Sequence, residues 1–143
     1  MMVSTRGRYA LRVMIDLAEH NNGKYIPLKD IADRQDISEK YLESIVKSLT
    51  KAGMLEGLRG KGGGYRLTKS ADQYTVYDIL KQTEGSMAPV ACLEDGARGC
   101  ERNSCCSTLA VWEGLDKLIR DYLEKITVAE LASRHQPGND YVI

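Results

Sequence analysis

Two short helical stripes, a three-residue turn and a glycine-rich hairpin follow one another without a break between residues 27 and 68, and few folds accept that order. Pro27 opens a helix through about residue 34, with Leu28, Ile31 and Ala32 on its inner side. Gln35-Asp36-Ile37 makes the turn, and Ser38 caps a second helix running to about residue 51. The inward stripe of that helix is expected to be Tyr41, Leu42, Ile45, Val46 and Leu49, with Gly53 as its stop. Two helices joined this tightly form a helix-turn-helix. Residues 54–58 and 65–68 then read as short strands joined by Arg59-Gly60-Lys61-Gly62-Gly63-Gly64. The glycines permit the positive φ that a tight hairpin needs. A hairpin placed directly after the second helix is a wing. A nucleotide phosphate loop is excluded, because no lysine–serine pair follows the glycines and a strand rather than a helix comes next.

The outward face of the second helix carries Glu39, Lys40, Glu43, Ser44, Lys47, Ser48 and Lys51. Lysines there reach phosphates, and Ser38 and Ser44 can donate to phosphate or base edges. Glu43 would be repelled by phosphate, so its use in a groove is to accept from a cytosine amino group. On the wing, Arg59 suits a narrow minor groove and Lys61 a phosphate, with Tyr65 at the foot of the second strand. The expected DNA-binding set is therefore Ser38, Glu39, Lys40, Glu43, Ser44, Lys47, Arg59, Lys61 and Tyr65, and the expected partner is a double-stranded DNA operator.

Net charge is zero, but the charges are unevenly placed. Residues 1–69 hold 13 Lys and Arg against 8 Asp and Glu, whereas residues 70–143 hold 7 against 12. A basic front half suits a polyanion-binding module joined to something else. Arg6, Arg8 and Arg12 lie on a helix that Thr5 can cap and that runs to about residue 20; they are expected to touch backbone phosphates or line a dimer contact. They also interrupt any apolar leader. No apolar run is long enough to span a membrane, so a cytoplasmic location with no membrane partner is expected.

After the wing, Thr75 with Asp78 forms a capping box for a helix to about Glu84. A loop follows to about residue 104, long enough to demand a functional reason. A helix from about 107 to 125 then carries Leu109, Trp112, Leu115, Leu118, Ile119 and Tyr122, and a second capping box at Thr127 opens a last short helix. That apolar stripe is broad for one helix beside so small a head, which points to a homodimer. The fold class is mainly α with a small β-hairpin. The organisation is a winged helix-turn-helix domain over 1–84, a cysteine-bearing loop over 85–106, and a dimerisation helix with a C-terminal segment over 107–143.

All 4 cysteines, Cys92, Cys100, Cys105 and Cys106, fall in that loop. Clustered thiolates suit an iron–sulfur cluster first, and zinc or thiol redox chemistry after it. The paired Cys-x2-Cys spacing of a zinc ribbon is missing. The two histidines, His20 and His135, stand near helix ends, and no nucleophile–base pair or carboxylate constellation appears, so an enzyme is not expected.

Four segments taken together resemble a known family. They are Thr5-Arg6-Gly7-Arg8-Tyr9-Ala10-Leu11; Ile37-Ser38 with Tyr41-Leu42-Glu43; Arg59-Gly60 with Gly62-Gly63-Gly64-Tyr65; and the cysteine loop ahead of Trp112. The chain resembles the iron–sulfur cluster regulators, winged-helix transcription regulators that include IscR, NsrR and CymR. The resemblance implies a homodimer with a long helix crossing between subunits, and a cluster whose occupancy controls DNA choice or affinity. It places the cysteine ligands on Cys92, Cys100 and Cys106. Cys106 is preferred to Cys105 because it keeps five residues from Cys100 and stands six positions before Trp112. A 2Fe–2S cluster is expected ahead of a 4Fe–4S one. The chain departs from the family pattern in two places. The first cysteine gap is seven residues rather than five, and the fourth-ligand positions of other members hold Leu109 and Arg8. CymR-like members lack these cysteines and work through a protein partner. A cluster-free regulator under a partner's control, with cysteines that bind zinc or act as a redox switch, is therefore the alternative.

Overall fold

The first helix starts one residue earlier than its sequence suggests. Ser4, not Thr5, is the cap: its hydroxyl accepts from the Gly7 amide at 3.1 Å and opens α1, Thr5–Glu19. The computed structural model describes residues 2–97 and 105–134. Cys100, Glu101, His135 and the tail beyond it lie outside the described residues. Six further elements follow in the head: α2 (Leu28–Gln35), α3 (Glu39–Lys51), β1 (Leu55–Leu58), β2 (Gly64–Leu67), a 3-10 turn at Ala71–Gln73 and α4 (Val76–Glu84). A second 3-10 turn at Ala91–Leu93 precedes α5 (Leu109–Glu124) and α6 (Val128–Arg134).

α1 is the central post, packed against α2, α3, α4, α6 and β2. Its Ala10, Val13, Met14 and Leu17 meet Ile31, Leu42, Ile45, Val46, Leu49, Leu55 and Ile79 in one buried cluster. Each such aliphatic side chain contributes about 1.5–3 kcal/mol through loss of water contact. Among the described residues, one charge lies inside this core, Asp16, at 1% exposure. The Arg34 guanidinium donates to both of its oxygens, at 2.7 and 3.0 Å, and Gln35 donates to one at 2.9 Å. The hydrogen bonds to Asp16 push the Arg34 pKa above its ordinary value. This forked contact fixes α2 against α1 with a directionality that apolar packing lacks.

The turn between α2 and α3 passes through Asp36 in the left-handed region (φ 54°), and Ser38 caps α3 by accepting from the Tyr41 amide at 3.2 Å. Tyr41 departs from expectation. It stands at the surface instead of in the stripe, with its ring edge-on to Tyr9 at 5.7 Å. A phenol can do this because it is apolar in body and wet at its tip.

β1 and β2 pair antiparallel, Leu55 opposite Leu67 and Leu58 opposite Gly64. The hairpin is fixed to the segment before α2: Ile26 and Tyr65 exchange both main-chain hydrogen bonds, each at 2.9 Å. Gly64 is required there, since it has φ 145° and a Cβ would collide with the Ile26 carbonyl. Buried Tyr74 ties down the exit from β2; its hydroxyl accepts from the Thr68 and Lys69 amides and donates to the Met54 carbonyl.

The capping box of α4 forms as expected, Thr75 and Asp78 exchanging bonds at 3.1 and 3.2 Å. The one expected at Thr127 forms by half. Thr127 accepts from the Glu130 amide, but the Glu130 carboxylate turns to Arg134 instead. α6 returns to the head: Val128 is fully buried in its core, and Val128 donates to the Tyr74 carbonyl at 2.9 Å. α5 rests on α4 through Ile119 and Leu123, half-buried beside Val76, Tyr77, Leu80 and Met87. The apolar stripe expected on α5 thus divides. Ile119 turns inward while Leu115, Leu118 and Tyr122, with Val111, face outward.

Candidate nucleic-acid interface and cysteine loop

The core side of α3 is saturated by Leu42, Ile45, Val46 and Leu49, so Ser38, Glu39, Lys40, Glu43, Ser44 and Lys47 are all left exposed. Arg59 and Lys61 are exposed on the wing tip, and Tyr65 is half-buried at its foot. Among the described residues, none of Lys40, Glu43, Lys47, Arg59 and Lys61 takes part in an ion pair. On the wing, by contrast, Arg66 is bound to Glu56 and lies 4.2 Å from the Tyr25 ring centre. Charges without internal partners are the ones a phosphate backbone can recruit.

α3 and the wing enclose an open groove of about 560 Å³. It brings together Glu39, Glu43, Lys47, Arg59 and Tyr65 from the expected set. Ser38, Lys40, Ser44 and Lys61 lie outside its walls, Ser38 at the cap of α3 and Lys40 and Ser44 elsewhere on it. Two of the expected contacts are already committed within the chain. Ser38 serves the cap of α3. The Ser44 hydroxyl donates to the Tyr41 carbonyl and accepts from Arg6, both at 3.0 Å. The arginines of α1 also have partners within the chain. Arg6 is engaged with Ser44, Arg12 with Gln35, and Arg8 with Thr5 at 3.0 Å. No repeating pattern in the sequence marks the distant partners of Arg6 and Arg12.

The cysteine loop leaves α4 at Gly85 and is held to it. Met87 is buried against Tyr77 and Leu80, and Asp95 pairs with Lys81 at 2.9 Å. Lys81 and Arg120 each lie within 6 Å of the Tyr77 ring centre, at 5.9 and 5.2 Å. The Lys81 ammonium holds Asp95 below the usual carboxylate range, and Asp95 in turn raises Lys81. Cys92 is half-buried in the Ala91–Leu93 turn, Cys105 is exposed, Cys106 is half-buried at the foot of α5, and all three are free thiols. Thr108 places its hydroxyl 3.4 Å from the Cys106 sulfur and lowers that thiol's pKa. Among the described residues no group of three or more His, Cys, Asp or Glu converges as a metal site, and the expected ligand Cys100 lies outside them. As a donor set, free thiols at both ends of one loop, one of them biased toward thiolate, fit a soft metal or an iron–sulfur cluster.

With this geometry, comparison with known proteins is decisive. Residues 3–134 match the Rrf2 family, described as "Iron-dependent Transcriptional regulator". The chain belongs to the Rrf2 family of transcriptional regulators. This Rrf2 chain is 38% identical over 136 residues to the HTH-type transcriptional regulator IscR of Erwinia tasmaniensis, covering 95% of this chain and 81% of that one. Its fold is similar to the structure of CymR (YrzC), the global cysteine regulator of B. subtilis, with TM-score 0.78 and 34% identity over 95% of this chain and 99% of that one. It is also similar to T. potens IscR, with TM-score 0.74 and 34% identity over 95% and 89%. The Rrf2 assignment confirms the family resemblance and the mainly α winged-helix fold, and its relatives are regulators rather than enzymes. No helix among the described residues is long and apolar enough to cross a membrane.

Proposed function

We propose that this regulator reads a pseudo-palindromic DNA operator as a homodimer, with α3 in the major groove and the wing in the neighbouring minor groove. The observation that carries this reading is the groove in which Glu43, Lys47, Arg59 and Tyr65 converge, its charges without internal partners. In this reading Lys47 in the groove and Lys40 and Lys61 beside it meet phosphates, Arg59 enters the minor groove, and Glu43 faces base edges. α5 joins the two copies through Val111, Leu115, Leu118 and Tyr122, which stay exposed within the described chain, Leu115 least of them. Binding-site selection on random duplexes tests the reading face. Wild type is expected to recover a two-fold site with half-sites about one helical turn apart. Glu43→Ala is expected to broaden the choice at one position, and an unchanged profile would make Glu43 a solvated bystander.

Cys92, Cys100 and Cys106 are the residues that would hold an iron–sulfur cluster, of the 2Fe–2S type in this reading. Such a group, when bound, supplies reversible one-electron and ligand-exchange chemistry at a labile iron. The chain's own part is to bring the loop to the foot of α5 and to α4, so that ordering the loop changes the stiffness between the two reading heads. Anaerobic purification, a visible spectrum and iron and sulfide assays test this. Brown protein that loses its absorbance in Cys92→Ala, Cys100→Ala and Cys106→Ala, but not in Cys105→Ala, supports the assignment. Colourless protein after reconstitution overturns it in favour of the second reading. That reading is a cluster-free regulator under a protein partner, with the thiols binding zinc or switching by oxidation, and the likeness to the CymR structure supports it.

A further inference from the structure

We infer that Arg6 is a positioning residue for DNA reading: it grips the recognition helix from outside and stands off the DNA. The inference rests on the reading of α3 given above. Arg6, Tyr9 and Arg12 are spaced by three along the outer face of α1, and each lands on the helix-turn-helix. Arg6 donates from one terminal nitrogen to the Ser44 hydroxyl and from the other to the Ser44 carbonyl, each at 3.0 Å. The Tyr9 ring meets the edge of Tyr41. Arg12 lies over Tyr9 at 5.2 Å and donates to the side-chain oxygen of Gln35 at 3.0 Å and to its carbonyl. Gln35 in turn donates to the buried Asp16.

The row is a strut. Leu42, Ile45, Val46 and Leu49 hold α3 along its inner side only. Packing of that kind is non-directional and resists separation better than it resists roll about the helix axis. Roll would swing Glu43 and Lys47 through larger arcs than it moves the core. The Arg6 fork is directional and sits one residue from Glu43 on the exposed flank. A phosphate could recruit Arg6 only by breaking both bonds to Ser44. Lysine could not replace it, since one ammonium cannot span a hydroxyl and a carbonyl with the planar two-nitrogen geometry.

The foot of the strut is fixed as well. Ser4 donates its amide and its hydroxyl to one oxygen of Glu84, at 3.0 and 2.6 Å. A Cβ on Gly7 would collide with that same oxygen. The first turn of α1 is therefore seated on the last turn of α4, the helix from which the cysteine loop departs.

The test uses the full-length protein with its selected operator and a random duplex, each across a salt series. Arg6→Gln and Arg6→Lys are both expected to lower operator-over-random preference by about tenfold, the scale of one charge-assisted hydrogen bond. Both should keep wild-type circular dichroism, random-duplex affinity and salt slope. Lys47→Gln, the comparison, should lower the salt slope by about one. Three results overturn the inference: Arg6→Gln lowers the slope by about one and weakens both duplexes alike, Arg6→Lys restores full preference, or Arg6→Gln changes nothing. If Lys47→Gln and Ser44→Ala also leave affinity, slope and preference at wild-type values, the reading of α3 itself falls, whatever Arg6 does.

Discussion

α1 and α5 are nearly equal in length and both amphipathic, yet α1 buries six residues and α5 none. α1 finds its partners within the chain: four helices and a strand surround it. α5 covers only one side of itself, laying Ile119 and Leu123 on α4 while Leu118 and Tyr122 stay 68% and 66% exposed. An apolar stripe therefore states that a helix needs a partner without saying whose. The head closes its core around α1 with the help of α6, whereas the outer side of α5 is a surface that the proposed second copy would cover.

The contrast is broken most strongly at the core. Leu49 is fully buried beneath α3, and Leu49→Ala should cost about 2–5 kcal/mol through lost burial and the cavity left behind. Urea unfolding should show this at every protein concentration, because the loss lies within one chain. Leu118→Glu should do the converse. The unfolding of the head should hardly change, while sedimentation shows monomers and affinity for a two-half-site operator drops by about 100-fold or more, as binding loses its second head. A Leu118→Glu protein that remains dimeric would remove α5 from the interface.

Smaller effects sharpen the comparison within each region. Arg59→Ala should weaken operator binding by roughly 1–3 kcal/mol and relax preference near an A·T-rich flank, whereas Lys61→Ala should weaken all duplexes alike and reduce the salt slope by about one. Equal slopes for the two variants would contradict a minor-groove role for Arg59. At the loop, the Asp95–Lys81 pair sets a pH window. Asp95 is held below its ordinary pKa, so its contribution is present at neutral pH and is lost as pH falls through that lowered value. Lys81 is raised, so the pair is lost on the alkaline side only as pH climbs through the raised lysine value. Asp95→Asn should speed hydrogen exchange over residues 91–97 at pH 7, and the difference from wild type should vanish below the ordinary aspartate range.

Much of the head was legible in the sequence because its signals are local. Ser38, the Thr75–Asp78 box and the glycines of the wing each act within a few residues. The family, too, could be read from contiguous motifs. What stayed hidden depends on distant partners. Tyr41 has the spacing of a core residue, but Tyr9 offers its ring a place outside. Asp16 falls on the buried side of α1, where a charge is tolerated only because Arg34 and Gln35 arrive from α2. Arg6 was free to be a phosphate contact until Ser44 was placed beside it. Ser4 and Glu84, 80 residues apart, could be paired by nothing in the sequence between them. In the cysteine loop, composition announced soft-ligand chemistry, but spacing alone cannot orient thiols around a common centre.

The exchange of hydrogen bonds between Ile26 and Tyr65 has a consequence for the operator itself. It ties the wing to the segment that leads into the helix-turn-helix, so α3 and the wing, which in the proposed reading enter two neighbouring grooves, form a caliper whose opening is set by main-chain bonds. A base pair inserted inside a half-site shifts one groove by about 3.4 Å and roughly a tenth of a turn relative to the other, and a welded caliper cannot follow. In the proposed reading, spacing within each half-site is then invariant, whereas spacing between half-sites is set by the arm proposed to join the two calipers.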